Sequence, residues 1–171
     1  MAIVNNTGQN FTLYYNVLNY FKTISANHPQ IRFSTQGDVF TIDEREFPAY
    51  PLSNILITNA VFTDKSTIYT CQLTVADKIK TLGNDSVGAN NSQSIAYYGL
   101  DDVVDIHANT LAILNDLTSY TQYSQQAFLI EGEMNCVPFA DQFDNGLGGW
   151  VCTFDLLVHN DRPRCLYNLN P

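Results

Sequence analysis

The chain of 171 residues carries a formal net charge of −9, with 45% hydrophobic and 15% charged residues, which fits one folded domain with a proper core and argues against disorder. Eight Lys and Arg against seventeen Asp and Glu are too few cations for reading DNA or RNA sequence or for holding an anionic membrane surface. No run approaches the roughly 18 apolar residues of a membrane span, and the opening "MAIVNNTGQN" lacks the basic and apolar regions of a secretory signal.

The first element, "NFTLYYNVLNYFKTISANHP" (10–29), places Phe11, Tyr14, Tyr15, Leu18 and Phe21 on one helical face. Asn10 suits the N-cap, Pro29 ends the element, and Asn16, Asn19 and Lys22 form a wet side. The period then changes to two. "IRFST" and "VFTID" flank "QGD" (36–38), which predicts a short hairpin. Pro48 and Pro51 in "EFPAYPL" argue against regular structure there. Residues 54–62 and 67–77 read as strands. In the second, Tyr69, Cys71, Leu73 and Val75 share one face, and Ile68, Thr70, Gln72 and Thr74 the other. A sheet with one apolar and one largely polar face packs on a single layer of helices.

Residues 78–99 lack a clean period and are dense in Asn, Ser and Gly, so they read as a long loop of the functional or disordered kind, mobile in the isolated protein at least over 83–94. A second helix covers 100–120, with Val103, Val104, His107, Leu111, Leu114 and Leu117 as its stripe. Asp101 is its expected cap, and Asp102 and Asp105 suit the positive end of its dipole. Two strands then form a hairpin over 127–158, turning around Phe143–Gly149. Phe128, Ile130, Gly132, Met134 and Cys136 share one face of the first, with Glu131, Glu133 and Asn135 opposite. Trp150, Cys152, Phe154, Leu156 and Val158 form the core side of the return strand, with Trp150, Phe154 and Leu156 largely buried. The fold class is α+β: one mostly antiparallel sheet with two helices packed on one face, in a single domain spanning 1–171.

The residue patterns point to no catalytic group, cofactor or metal. Cys71, Cys136, Cys152 and Cys165 have no C-x-x-C spacing and read as free thiols of a reducing compartment, with Cys136 and Cys152 on paired strands. His28, His107 and His159 stand beside no nucleophile motif, and His107 fits a satisfied core or boundary position. "GLGG" lacks the lysine and context of a phosphate loop, and "DQFDNG" (141–146) fits a solvated turn better than a calcium ladder. Glu131 and Glu133 read as neighbouring wet positions rather than an acid–base pair. The sequons at Asn5, Asn10, Asn84 and Asn90 are what an Asn-, Ser- and Thr-rich chain produces by chance.

The element order, with Tyr50–Pro51 leading into a strand, a following strand ending at Asp77, and a helix carrying Asp102, Ile106, Thr110, Ile113, Leu114 and Leu117, resembles the tail-terminator and neck (head–tail connector) ring proteins of tailed bacteriophages. The closing "GGWVCTFDLLVHND" and "RCLYNL" resemble the last strand and tail of such proteins. The resemblance implies a virion structural protein, assembled in the bacterial host cytoplasm, without enzymatic activity. It implies a ring of copies, a hexamer or dodecamer, meeting the portal, another connector or the tail tube and passing DNA without sequence recognition. On this reading the loop residues Asn84, Asp85, Asn90 and Asn91 and the tail residues Arg162 and Arg164 are partner contacts. Two other classes stay open: a monomeric α+β adaptor that binds a peptide along an open sheet edge, and a small hydrolase or isomerase using Glu131, Glu133 or His107.

Overall fold

The strict alternation of β3 (Ser66–Lys78) organises the molecule. Tyr69, Cys71, Leu73 and Val75 are all buried and form the centre of the main apolar cluster. This computed structural model describes residues 12–38, 49–79, 100–123, 128–142 and 146–159. Its remaining elements are α1 (Thr12–Asn27), β1 (Phe33–Gln36), β2 (Leu52–Phe62), α2 (Leu100–Tyr123), β4 (Phe128–Gln142) and β5 (Leu147–His159). The sheet order is β1-β2-β3-β5-β4. All its neighbours are antiparallel except β1 and β2, so the fold is α+β with a mostly antiparallel sheet.

The helices cover one face. Val17, Leu18 and Phe21 of α1 and Ile113, Leu114 and Leu117 of α2 join Cys71, Leu73, Cys152, Phe154 and Leu156 in that cluster. Both stripes sit at a different rotation from the one the sequence suggests. On α1, Tyr14 and Tyr15 are exposed and Val17 is buried in their stead, because the face that meets the sheet runs Val17, Leu18, Phe21, Ser25. On α2, Val104 and Leu111 are exposed, while Ile106, Thr110, Ile113, Thr118 and Thr121 turn inward. The threonines are buried at little cost because each hydroxyl donates to a carbonyl one turn back: Thr110 to Ile106, Thr118 to Leu114 and Thr121 to Leu117, at 2.6–2.9 Å. The helix already includes Leu100, so Asp101 lies within its first turn and not at the cap. Phe11 and Asn10 lie outside the described residues.

β1 takes a pairing that the expected hairpin at 36–38 does not include. β1 runs parallel to β2, Phe33 opposite Leu52 and Gln36 opposite Ile55, as the first strand of the sheet. Gly37 takes φ +99°, its N–H donates to Ile55 O, and its carbonyl accepts from Asn54 Nδ2 at 3.0 Å. The proposed partner strand, 39–43, lies outside the described residues. Irregular chain at Tyr50 and Pro51, joined by a cis peptide, precedes β2 as the prolines suggested.

The β4–β5 hairpin matches expectation in its pairing and differs at its turn. β4 extends to Gln142 and β5 begins at Leu147, so Gly148 and Gly149 belong to the strand. Gly149 sits against Ala76 and Val75 of β3, where a Cβ would overlap the Val75 carbonyl oxygen. Glycine is required there by close backbone approach and not by a turn. Trp150 is half-buried, packed on the main cluster, and its indole N–H donates to His107 O at 2.9 Å. Phe154 and Leu156 are buried as expected.

Candidate functional site

The sheet's second face carries no helix among the described residues. By register it presents Leu56, Val61, Ile68, Val151, Leu157, Leu129 and Val137, interleaved with Thr70, Gln72, Thr153, Asp155 and Glu131. At one end Leu52, Ala76, Phe139 and Leu147 form a separate buried cluster with Phe33, Tyr50 and Val151. Toward the other end the apolar side chains meet solvent. Val61 is 49% exposed there and Leu129 52%, and on the edge strand beside the cluster Val137, opposite Val151, is 56% exposed. Thr70 Oγ1 donates to Asp155 Oδ1 at 2.7 Å across β3 and β5, which holds that carboxylate against the sheet.

Two features extend this surface. β2 runs from four buried residues to five exposed ones, so the outer end of the β2–β3 hairpin meets solvent along β2 while Ser66 and Thr67 opposite it stay buried. Its tip is closed by Thr63 and Ser66, with Thr63 N–H donating to Ser66 O at 2.9 Å and Ser66 N–H to Thr63 Oγ1 at 3.0 Å. Phe62 stands beside it, 79% exposed. On the far side of the sheet lies β4, 15 residues long, which among the described residues pairs only with β5. A long edge strand with outward apolar side chains is a template for another chain, and proteins that stay single usually blunt such an edge.

Among the histidines and acidic residues, His107 and His28 make contacts within the fold, whereas His159, Glu131 and Glu133 are exposed. His107 Nε2 lies 2.8 Å from Phe139 O; only the N–H form of that nitrogen makes this a hydrogen bond, so the ring ties α2 to β4. His28 Nδ1 accepts from Gln30 N–H at 3.3 Å, which leaves the proton on Nε2, 3.5 Å from Asp116 Oδ2. The pair borders a cleft of about 280 Å³ between α1 and α2, lined also by Ile24, Leu117 and Tyr120. His159 is exposed at the end of β5. Glu131 and Glu133 are both exposed, and between them Gly132 at φ +77° opens a bulge in which residues 132–134 oppose Phe154 alone. That bulge breaks the pleat that would have aligned the two carboxylates. Among the described residues no three His, Cys, Asp or Glu side chains converge as metal ligands.

The chain matches no protein-family model, and no curated protein matches its sequence. Its own geometry is therefore the ground for any functional reading. Asn84, Asp85, Asn90, Asn91, Arg162 and Arg164, the partner contacts suggested by sequence, all lie outside the described residues, as does the loop from residue 80 to 99. The open sheet face and the β4 edge were half legible. On β3, Thr70 and Gln72 are half-exposed on this face as their alternation suggests and Thr74 is buried, whereas the exposure of Leu129 and Val137 depends on β4 lying at the edge. The cross-strand contact of Cys136 with Cys152 had only one signal, a cysteine on the core side of each hairpin strand.

Proposed function

We propose that this protein is a bacteriophage virion structural protein that assembles as a ring at the head–tail junction or tail end, without catalysis. The observation that carries this reading is the pairing-competent β4 edge with Leu129 and Val137 exposed on its outer side, set across the sheet from the exposed Phe62 at the β2–β3 turn. Two different surfaces on opposite sides of one subunit favour a head-to-tail contact, and head-to-tail contacts close into rings when the rotation allows. The net charge of −9 supports a channel that DNA crosses without sticking, since few cations are present to make phosphate contacts. No helix among the described residues is long and apolar enough to cross a membrane.

In this role the subunit meets copies of itself, as a hexamer or dodecamer, and an adjoining portal, connector or tail-tube protein. Asn84, Asp85, Asn90 and Asn91 are the proposed contacts from the loop. Arg162 and Arg164 are proposed to pair with carboxylates of the next ring through their forked guanidinium groups. The same β4 edge also favours a second reading, a monomeric adaptor that takes an extended peptide as an added strand.

Mass measurement on the purified chain separates the two. The ring reading expects a closed oligomer, alone or on mixing with the neighbouring virion proteins, and expects Leu129→Glu with Val137→Glu to return it to folded monomer. A wild-type chain that stays monomeric under both conditions overturns it.

A further inference from the structure

Cys136 of β4 and Cys152 of β5 are direct cross-strand partners, flanked on both sides by regular pairs, Asn135 with Thr153 and Val137 with Val151. Opposed residues of an antiparallel pair have Cα atoms roughly 4.5–5.5 Å apart, which lies inside the range a disulfide needs. The thiols already face each other, with Cys136 Sγ 2.6 Å from Cys152 Sγ, well inside ordinary contact between unbonded sulfurs. No backbone movement is required to join them.

We propose that Cys136 and Cys152 are a modification site, a dithiol that a low-molecular-weight disulfide oxidises to a reversible cross-strand disulfide. The inference is independent of the ring reading and requires only the β4–β5 register.

The two thiols have different parts in the reaction. Cys136 is half-buried on the edge strand, whereas Cys152 is enclosed. Burial first, then the hydrogen bond and charge of Cys136, push the Cys152 thiol up to about 12. Cys136 is therefore the sulfur that meets the reagent. As thiolate it attacks one sulfur of the small disulfide, forming a mixed disulfide and releasing one small thiolate, which takes up a proton. Cys152 then loses its proton to solvent as its sulfur attacks Cys136 Sγ, and the second small thiol leaves. Two protein thiols lose two protons and two electrons, and one small disulfide becomes two thiols. The adjacency of the sulfurs makes this second step intramolecular, which offsets the unfavourable ionisation of Cys152. Cys71 is excluded from the exchange by its place. It is fully enclosed on β3, opposite Phe154, with its own thiol directed at Tyr69 O at 3.7 Å.

The test is oxidation of the folded wild-type chain with glutathione disulfide, followed by alkylation, digestion and mass mapping. The expected product is one peptide pair joined through Cys136 and Cys152, with two fewer alkylatable thiols per chain and full reversal by reduced glutathione. Cys152→Ala, checked for native circular dichroism, should instead retain the glutathione adduct on Cys136. Wild-type protein in which Cys136 and Cys152 both remain alkylatable, keep unresolved adducts, or join to Cys71 or Cys165 overturns the proposal.

Discussion

Phe21 of α1 and Phe154 of β5 meet ring to ring, with centroids 5.7 Å apart and planes inclined at 48°. Both are buried, and the neighbouring Tyr20 continues the contact to Phe128 at 5.2 Å and to Thr121 through its hydroxyl. This row of aromatic rings holds the first helix against the far end of the sheet. Removing the buried Phe154 ring leaves a cavity that a close-packed core cannot fill. Phe154→Ala is expected to cost roughly 3–5 kcal/mol in urea unfolding. A loss near zero would mean that the ring does not bear on the core.

The two glycines before Trp150 should behave differently. Gly149→Ala places a methyl group into the Val75 carbonyl, a clash with backbone that no side-chain rotation relieves. It should cost at least about 3 kcal/mol or prevent folding. Gly148→Ala meets Ile79 Cγ1 at 3.3 Å and Ile106 Cγ2 at 3.4 Å, side-chain atoms that can shift, and should cost less. Thermal unfolding of the pair measures the order, and equal losses would contradict the geometry.

Thr74 and Asn54 face each other across β2 and β3, each 1% exposed, and among the described residues neither Thr74 Oγ1 nor Asn54 Oδ1 has a hydrogen-bond partner. A buried hydroxyl without a partner is destabilising. Thr74→Val keeps the shape and removes the group, so it is expected to raise stability by about 1 kcal/mol. Denaturant unfolding checks this, and a loss of similar size would reveal a partner for the hydroxyl.

Alkaline pH should weaken the fold through Cys71. Burial, with a smaller contribution from the Asp155 carboxylate, raises its thiol from 9.0 to about 12. The folded protein therefore keeps the thiol neutral while the unfolded chain ionises it. Stability from this group is intact below pH 9 and is lost as pH rises toward 12. The urea midpoint should fall across that window, and Cys71→Ala should flatten the fall by on the order of a few kcal/mol. An unchanged slope in the variant would show that Cys71 does not carry the effect.

His107 joins three elements, through Nε2 to Phe139 O and through its own carbonyl to the Trp150 indole. His107→Phe preserves the ring and the backbone acceptor but leaves the Phe139 carbonyl without this donor. A loss of about 1–3 kcal/mol with unchanged circular dichroism is expected. No change in the unfolding midpoint would mean that solvent replaces the bond at no cost.

Much of the architecture was legible because side-chain periodicity is a local property. The alternation of Tyr69, Cys71, Leu73 and Val75 and of Cys152, Phe154, Leu156 and Val158 determined two strands, their buried side and the α+β class. The helices were legible as helices, but not in rotation. α2 has apolar residues around much of its circumference, so Val104 and Leu111 were as plausible as Ile106 and Ile113 until the sheet selected one side. Threonines that bond to their own helix complete the buried stripe and carry no apolar signal. What only the tertiary structure decided involves partners distant in sequence. The parallel placement of β1 on β2, the role of Gly149 against Val75, the edge position of β4 and the meeting of Cys136 with Cys152 each depend on which strand lies alongside. A pleat states which way a side chain points; it does not state what it meets, because pairing is settled by the burial of the whole sheet and not by any one strand.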